Sequence, residues 1–205
     1  MHLQTAEYDL SSHADVYEPS EDSFLFLDAL EEEFGNLVDL KPLNIVEIGS
    51  GSGVIITSLA KALKNANFFA VDINMSACKA TQMTGELNAT AIQPLCMDLL
   101  GQFKENMFDV IVFNPPYVVT DSEELCGNGI NRAWAGGKDG REIIDKLLPK
   151  IPNILSCKGI FYLLLLKENK PKEVIDFMFT LGFAHKIIKE RKLLGEYLYI
   201  VKFNK

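Results

Sequence analysis

Short apolar runs alternate with helical patterns along nearly the whole chain, and this alternation limits the fold more than any other feature. "LNIVEIG" (43–49), "NFFAVDI" (67–73), "FDVIVFN" (108–114) and "GIFYLLLLK" (159–167) read as buried strands, with "TAIQPLCMDL" (90–99) a weaker third strand. Ser20 to Phe34, Val54 to Leu63, Ser76 to Leu87, Glu142 to Leu155 and Pro171 to Leu181 carry apolar residues at helical spacing. "FAHKIIKE" and "EYLYIVKF" lie on either side of Leu194-Gly195 and read as an antiparallel hairpin. Strands apolar on both faces and separated by helices predict an α/β fold with a doubly wound, mostly parallel sheet. The chain has 205 residues and no repeat or low-complexity linker. A single domain over 1–205 is therefore expected, opened by an acidic helical extension over 1–40.

A doubly wound sheet binds ligands beyond the carboxyl ends of its strands, so the polar residues found there are the candidates for chemistry. The first strand ends in "VEIGSGSGV", where Glu47 precedes Gly49, Gly51 and Gly53. Such glycines permit positive φ and let the backbone approach a ligand. The loop departs from the dinucleotide fingerprint at Val54, and it lacks the lysine of a phosphate-binding loop. The second strand ends in Asp72, 25 residues after Glu47. A carboxylate there can accept from both ribose hydroxyls, or it can cap the following helix. The third strand ends in Asp98-Leu99, an acid suited to an adenine amine. Groups for ribose and adenine, without equipment for a pyrophosphate, point to S-adenosylmethionine as cofactor.

The fourth strand ends in "NPPYV" (114–118). Methyl transfer from a sulfonium needs an acceptor lone pair along the S–CH3 axis. In a planar amide or aromatic amine that pair is delocalised, and it turns toward the methyl only when both N–H groups are held. Asn114 offers a side-chain carbonyl and Pro115 a backbone carbonyl as the two acceptors. Pro115 and Pro116 have no N–H to compete, and their fixed φ stiffens the corner. Tyr117 can lie against the planar acceptor, while Phe113 and Val118 exclude water and so strengthen both hydrogen bonds. Asn114, Pro115 and Tyr117 are the expected catalytic residues, with Pro116 and Val118 completing the substrate contact.

Composition narrows the partners. Residues 1–40 hold eleven acids and no Lys or Arg, out of a net charge of −8 for the chain. An acidic head repels a phosphate backbone, which argues against duplex DNA. Cys78, Cys96, Cys126 and Cys157 form no Cys-x-x-Cys pair and the three histidines are scattered, so no metal site is expected. The longest apolar run, which contains Phe161 to Leu166 and begins at Ile160, is far below the ~20 residues of a membrane helix. The N-terminus has no signal-peptide pattern, so a cytoplasmic location is expected, with the nucleus also open to the chain.

"EIGSGSG", Asp72 and "NPPYV", in this order, resemble the class I, seven-stranded methyltransferases with an Asn-Pro-Pro-Tyr motif. "VYEPSEDSFLFLDAL" (16–30) and "AWAGGKDGRE" (133–142) are similar to the HemK-like eukaryotic and archaeal glutamine methyltransferases of translation release factors. The resemblance runs from about Asp15 to Phe203. It implies the strand order 3-2-1-4-5-7-6 with strand seven antiparallel, and a cofactor site that includes part of the N-terminal extension. Cofactor contacts would come from Ser23 (often Thr in the family), Glu47, Gly49, Asp72, Asp98, Leu99 and Asn114. The acceptor would be the glutamine of the Gly-Gly-Gln loop of a class I release factor. A small zinc-binding activator protein is implied as partner in a heterodimer, beside strand three. The sequence itself makes that edge plausible, because Pro94 suits an edge strand and "AIQPLCMDLL" is apolar on both faces.

In "RAWAGGKDG" the only tryptophan, Trp134, is expected to pack under a loop on the substrate side, with Arg132, Lys138 and Arg141 close by. A lysine amine or an adenine amine is the alternative acceptor. A binding subunit that kept the fold and lost the chemistry is the competing class. It predicts decay of the glycine loop and the acceptor pair, yet Glu47, Gly49, Asp72, Asn114, Pro115, Pro116 and Tyr117 are all present.

Overall fold

The computed structural model describes residues 3–101, 103–126 and 133–205. Seven strands form one sheet: β1 (Asn44–Ile48), β2 (Asn67–Asp72), β3 (Ile92–Cys96), β4 (Phe108–Phe113), β5 (Leu155–Leu166), β6 (Ala184–Lys192) and β7 (Tyr197–Asn204). Their order is β3-β2-β1-β4-β5-β7-β6, as the resemblance implied. β1 to β5 pair in parallel, and β7 runs antiparallel to both β5 and β6. The order reverses between β1 and β4, so their carboxyl ends flank the crevice where a ligand belongs.

Side-chain alternation along β4 explains the layering. Val110 and Val112 enter a core with Leu25, Leu30, Ile56 and Leu59, which lie on α1 (Glu21–Glu32) and α3 (Val54–Ala62). Ile111 and Phe113 enter the opposite core, with Ile144 and Leu147 of α5 (Glu142–Leu147) and Val174 and Met178 of α7 (Pro171–Thr180). Helices thus cover both faces, which is why the central strands carry apolar side chains on both faces. α4 (Met75–Leu87) packs over β2 and β3.

Three expectations need correction. Residues 3–20 contain turns but no helix, so the extension is helical only from α1 onward, and α2 (Phe34–Leu40) follows as a separate helix. The helix expected over 142–155 breaks into α5, a 3-10 turn (Leu148–Lys150) and α6 (Ile151–Ile154). Pro149 and Pro152 supply no N–H to the helical hydrogen-bond ladder, although Leu148 and Ile151 before them keep helical backbone, and Leu155 already starts β5. The acidic extension is also not a bare acidic surface. Arg191 of β6 pairs with Glu21 and Asp28, Lys189 with Glu32, and Lys186 and Lys202 with Glu33.

Candidate active site

The β1–α3 turn takes positive φ at Gly49, Gly51 and Gly53 (65°, 52° and 78°), a path that residues with a Cβ rarely follow. The Gly49 and Ser50 N–H groups both donate to the Val71 carbonyl, at 2.7 and 3.2 Å, which ties the loop to β2. Glu47 is buried, and its Oε2 accepts from the Ile56 N–H at 3.0 Å, in the first turn of α3. Burial pushes its carboxyl well above the usual range and the nearby Asp72 charge adds to this, while the Ile56 bond opposes them. Asp72 accepts from Gly51 N–H at 3.0 Å and from Asn74 N–H at 2.8 Å. The N-cap of α4 is Asn74, whose side chain accepts from Ser76 N–H, so capping that helix is not the task of Asp72.

A cavity of about 380 Å³ lies over these strand ends. Of the residues expected to touch the cofactor or the acceptor, its wall brings together all but Val118: Ser23, Glu47, Gly49, Gly51, Asp72, Asp98, Leu99, Asn114, Pro115, Pro116 and Tyr117. Val118 lies just outside. Its N–H donates to the Trp134 carbonyl and its carbonyl accepts from Gly136, forming a short bridge between 118 and 135. Trp134, expected under a substrate-side loop, is half-buried and lines the cavity beside Ala133 and Ala135. Arg141 is turned away into ion pairs with Asp145 and Glu173, Lys138 is exposed, and Arg132 lies outside the described residues.

Two residues the sequence reading missed hold the "NPPY" corner. Asp22, on α1 and 4% exposed, accepts from Asn114 Nδ2 at 2.9 Å. Asn114 Oδ1 is buried and has no hydrogen-bond partner among the described residues. Asn169, fully buried just past β5, accepts from Leu166 N–H at 2.7 Å and donates to the Tyr117 and Asp139 carbonyls at 2.8 and 2.9 Å. Gly140 meets the same clamp: with φ 66°, a Cβ there would lie 2.1 Å from the Tyr117 oxygen. Asn169 had a usable signal, since it is polar and follows a strand's carboxyl end. Asp22 had none beyond its place in a first helical turn, where an acid ordinarily answers the helix dipole.

Among the described residues the cavity wall carries Asp15, Asp22, Glu47, Asp72 and Asp98, and no Lys, Arg or His. Such a lining suits a cationic nucleoside and repels a phosphate. The Tyr117 phenol, 9% exposed, is pushed up by burial and by the Asp22 and Glu196 charges, so it stays neutral against an apolar acceptor face. Among the described residues, no group of three or more His, Cys, Asp or Glu side chains could hold a metal ion.

Comparison with known proteins agrees with this geometry. The family model for the methyltransferase small domain matches residues 12–133. Methyltransferase HEMK2 of Homo sapiens is 42% identical over 197 residues, covering 94% of this chain and 91% of its own. The eRF1 methyltransferase catalytic subunit mtq2 of Schizosaccharomyces pombe is 36% identical over 214 residues, covering 97% of this chain and 93% of its own. Among solved structures, the E. cuniculi Mtq2–Trm112 complex, described as responsible for methylating the eRF1 translation termination factor, superposes with a TM-score of 0.73 at 33% identity. That match covers 93% of this chain and 99% of the other. A T. thermophilus 16S rRNA methyltransferase solved with AdoMet and guanosine shares the fold, at 20% identity and a TM-score of 0.65, over 92% of this chain and 44% of the other. The chain belongs to the methyltransferase small-domain family, in the group that contains HEMK2 and mtq2.

Proposed function

We propose that this enzyme methylates the side-chain amide nitrogen of the glutamine in the Gly-Gly-Gln loop of a class I translation release factor, using S-adenosylmethionine. The observation that carries the reading is the buried, unpartnered Asn114 Oδ1 at the carboxyl end of β4, beside Pro115 on the same cavity wall. The Pro115 carbonyl accepts no hydrogen bond from any described residue. Two free acceptors at one corner match an NH2 group with two hydrogens, and holding both turns its lone pair out of conjugation.

The residues present suit the cofactor. Asp72 would meet the ribose hydroxyls and Asp98 with Leu99 the adenine, while Ser23, Glu47, Gly49 and Gly51 would border the rest. When bound, S-adenosylmethionine supplies an electrophilic methyl on a sulfonium. Asn114 and Pro115 hold the acceptor, Tyr117 and Trp134 flank its plane, and the proton leaves after the methyl arrives, so no general base is needed beforehand.

The active form is a heterodimer with a small zinc-binding protein at the β3 edge. Ile73, Met75, Met83, Leu87 and Leu95 are exposed apolar side chains on β3, on α4 and between β2 and α4. An open strand edge flanked by such residues is a surface that a partner covers. The named relatives support this: mtq2 is a catalytic subunit, and Mtq2 is seen in complex with Trm112. We assign the enzyme to the cytoplasm. Labelled-methyl transfer to purified release factor, with and without the partner, tests the proposal. Label on the Gly-Gly-Gln glutamine supports it; label on adenine-containing DNA with none on release factor overturns it.

A further inference from the structure

We infer that Asp22 fixes which end of the Asn114 amide faces the cavity, so that an acceptor and never a donor meets the incoming NH2 group. This rests on the role proposed for Asn114 above. The two ends of an amide are nearly equal in size, so sterics do not choose between them and hydrogen bonding must. The Asp22 carboxylate receives three donors: Asn114 Nδ2 at 2.9 Å on Oδ2, and Tyr17 Oη and Ser23 Oγ at 3.3 and 3.4 Å on Oδ1. An ionised carboxylate has no hydrogen to give. Burial and the Asp22 charge push the Tyr17 phenol up to about 12, which keeps it a donor.

With Nδ2 committed to Asp22, Oδ1 is left buried on the other branch without a partner. Turning the amide over would set Oδ1 against the carboxylate and the Asn114 NH2 against the substrate NH2. Both contacts would be mismatched, in a site too dry to screen them. Asp22 lies 92 positions before Asn114, on α1, which Arg191 of β6 grips through Glu21 and Asp28. The carboxylate is thus delivered by an anchored helix. Asp22 acts through Asn114 and is a positioning residue.

The test compares Asp22→Ala in two backgrounds, in the complex with the partner, using labelled S-adenosylmethionine and release factor. In the wild-type background we expect kcat to fall 30-fold or more, with the cofactor Kd and the release-factor KM within threefold. Asn114→Asp presents an oxygen whichever way it turns, so there Asp22→Ala should cost no more than threefold, or restore activity by removing a carboxylate pair. An equal loss in both backgrounds overturns the inference while leaving the glutamine reading intact. A second readout needs no substrate and decides alone where turnover is too low. NMR of the 15N-labelled complex should show an Asn114 Nδ2 proton exchanging at least tenfold more slowly than exposed asparagine amides, and Asp22→Ala should abolish this. Free exchange in the wild type overturns the inference.

Discussion

At the scale of single residues, the corner at the end of β4 combines an unpartnered Asn114 Oδ1 with side chains that hold the corner still, Asp22 on Asn114 and Asn169 on Tyr117. Asn114→Ala should lower the methyl-transfer rate ~100-fold or more and weaken cofactor binding far less, because the acceptor it removes counts chiefly in the transition state. Rate assays alongside cofactor titration check both halves. Gly140→Ala should destabilise the protein by about 2–4 kcal/mol, read by thermal unfolding, since its Cβ would lie 2.1 Å from the Tyr117 oxygen at φ 66°. The residues of this corner were legible in the sequence, because "NPPY" and "EIGSGSG" mark the strand ends that the cavity brings together. Its supports were not. Asp22 is 92 positions from Asn114 and Asn169 is 52 positions from Tyr117. Only the folded chain brings such pairs together.

At the scale of elements, the sheet was legible from apolar runs, and the strand ends pointed to the ligand crevice before any geometry was known. The helix misread over 142–155 has a local cause: helical spacing continues across prolines that interrupt the hydrogen-bond ladder. Pro149 and Pro152 end α5 inside a run that still looks amphipathic, and residues 3–20 bury Leu3, Ala6 and Val16 without any helix. α1 is seated by charge as well as by its apolar face. Glu33, 2% exposed at its C-terminal end, is pushed up by burial, but hydrogen bonds from Lys202 and Asn36 and the Lys202 and Lys186 charges outweigh this and hold its carboxyl below the ordinary 4.5. A depressed folded value means the stabilisation is complete above the unfolded pKa and fades as pH falls through the folded one. Glu33→Gln should therefore cost about 2–4 kcal/mol at pH 7, and urea melts should show the gap to wild type closing as Glu33 itself is protonated in acid.

At the scale of the whole molecule, the two sheet edges are treated differently. β6 exposes Ile187 at 40%, but its other side chains are largely charged and ion pairs tie it to α1. β3 instead carries Leu95 at 37% exposure, with Met83 and Leu87 nearby on α4 at 44% and 55%. If that face holds the partner, Leu95→Glu should leave the isolated chain folded and abolish co-purification with the zinc-binding subunit, as size-exclusion chromatography would show. The cavity, acidic among the described residues, opens at the carboxyl ends of β1, β2 and β4, where the strand order reverses and where the proposal has the cofactor and acceptor meet. The central claim is that Asn114 Oδ1 and the Pro115 carbonyl grip one NH2 group. A crystal structure of the heterodimer with S-adenosylhomocysteine and a Gly-Gly-Gln peptide tests it most directly. The account predicts the glutamine amide nitrogen within about 3 Å of both oxygens, its free side toward the sulfur. An amide nitrogen bound by other groups, with those two oxygens facing away from the nucleoside, would contradict it.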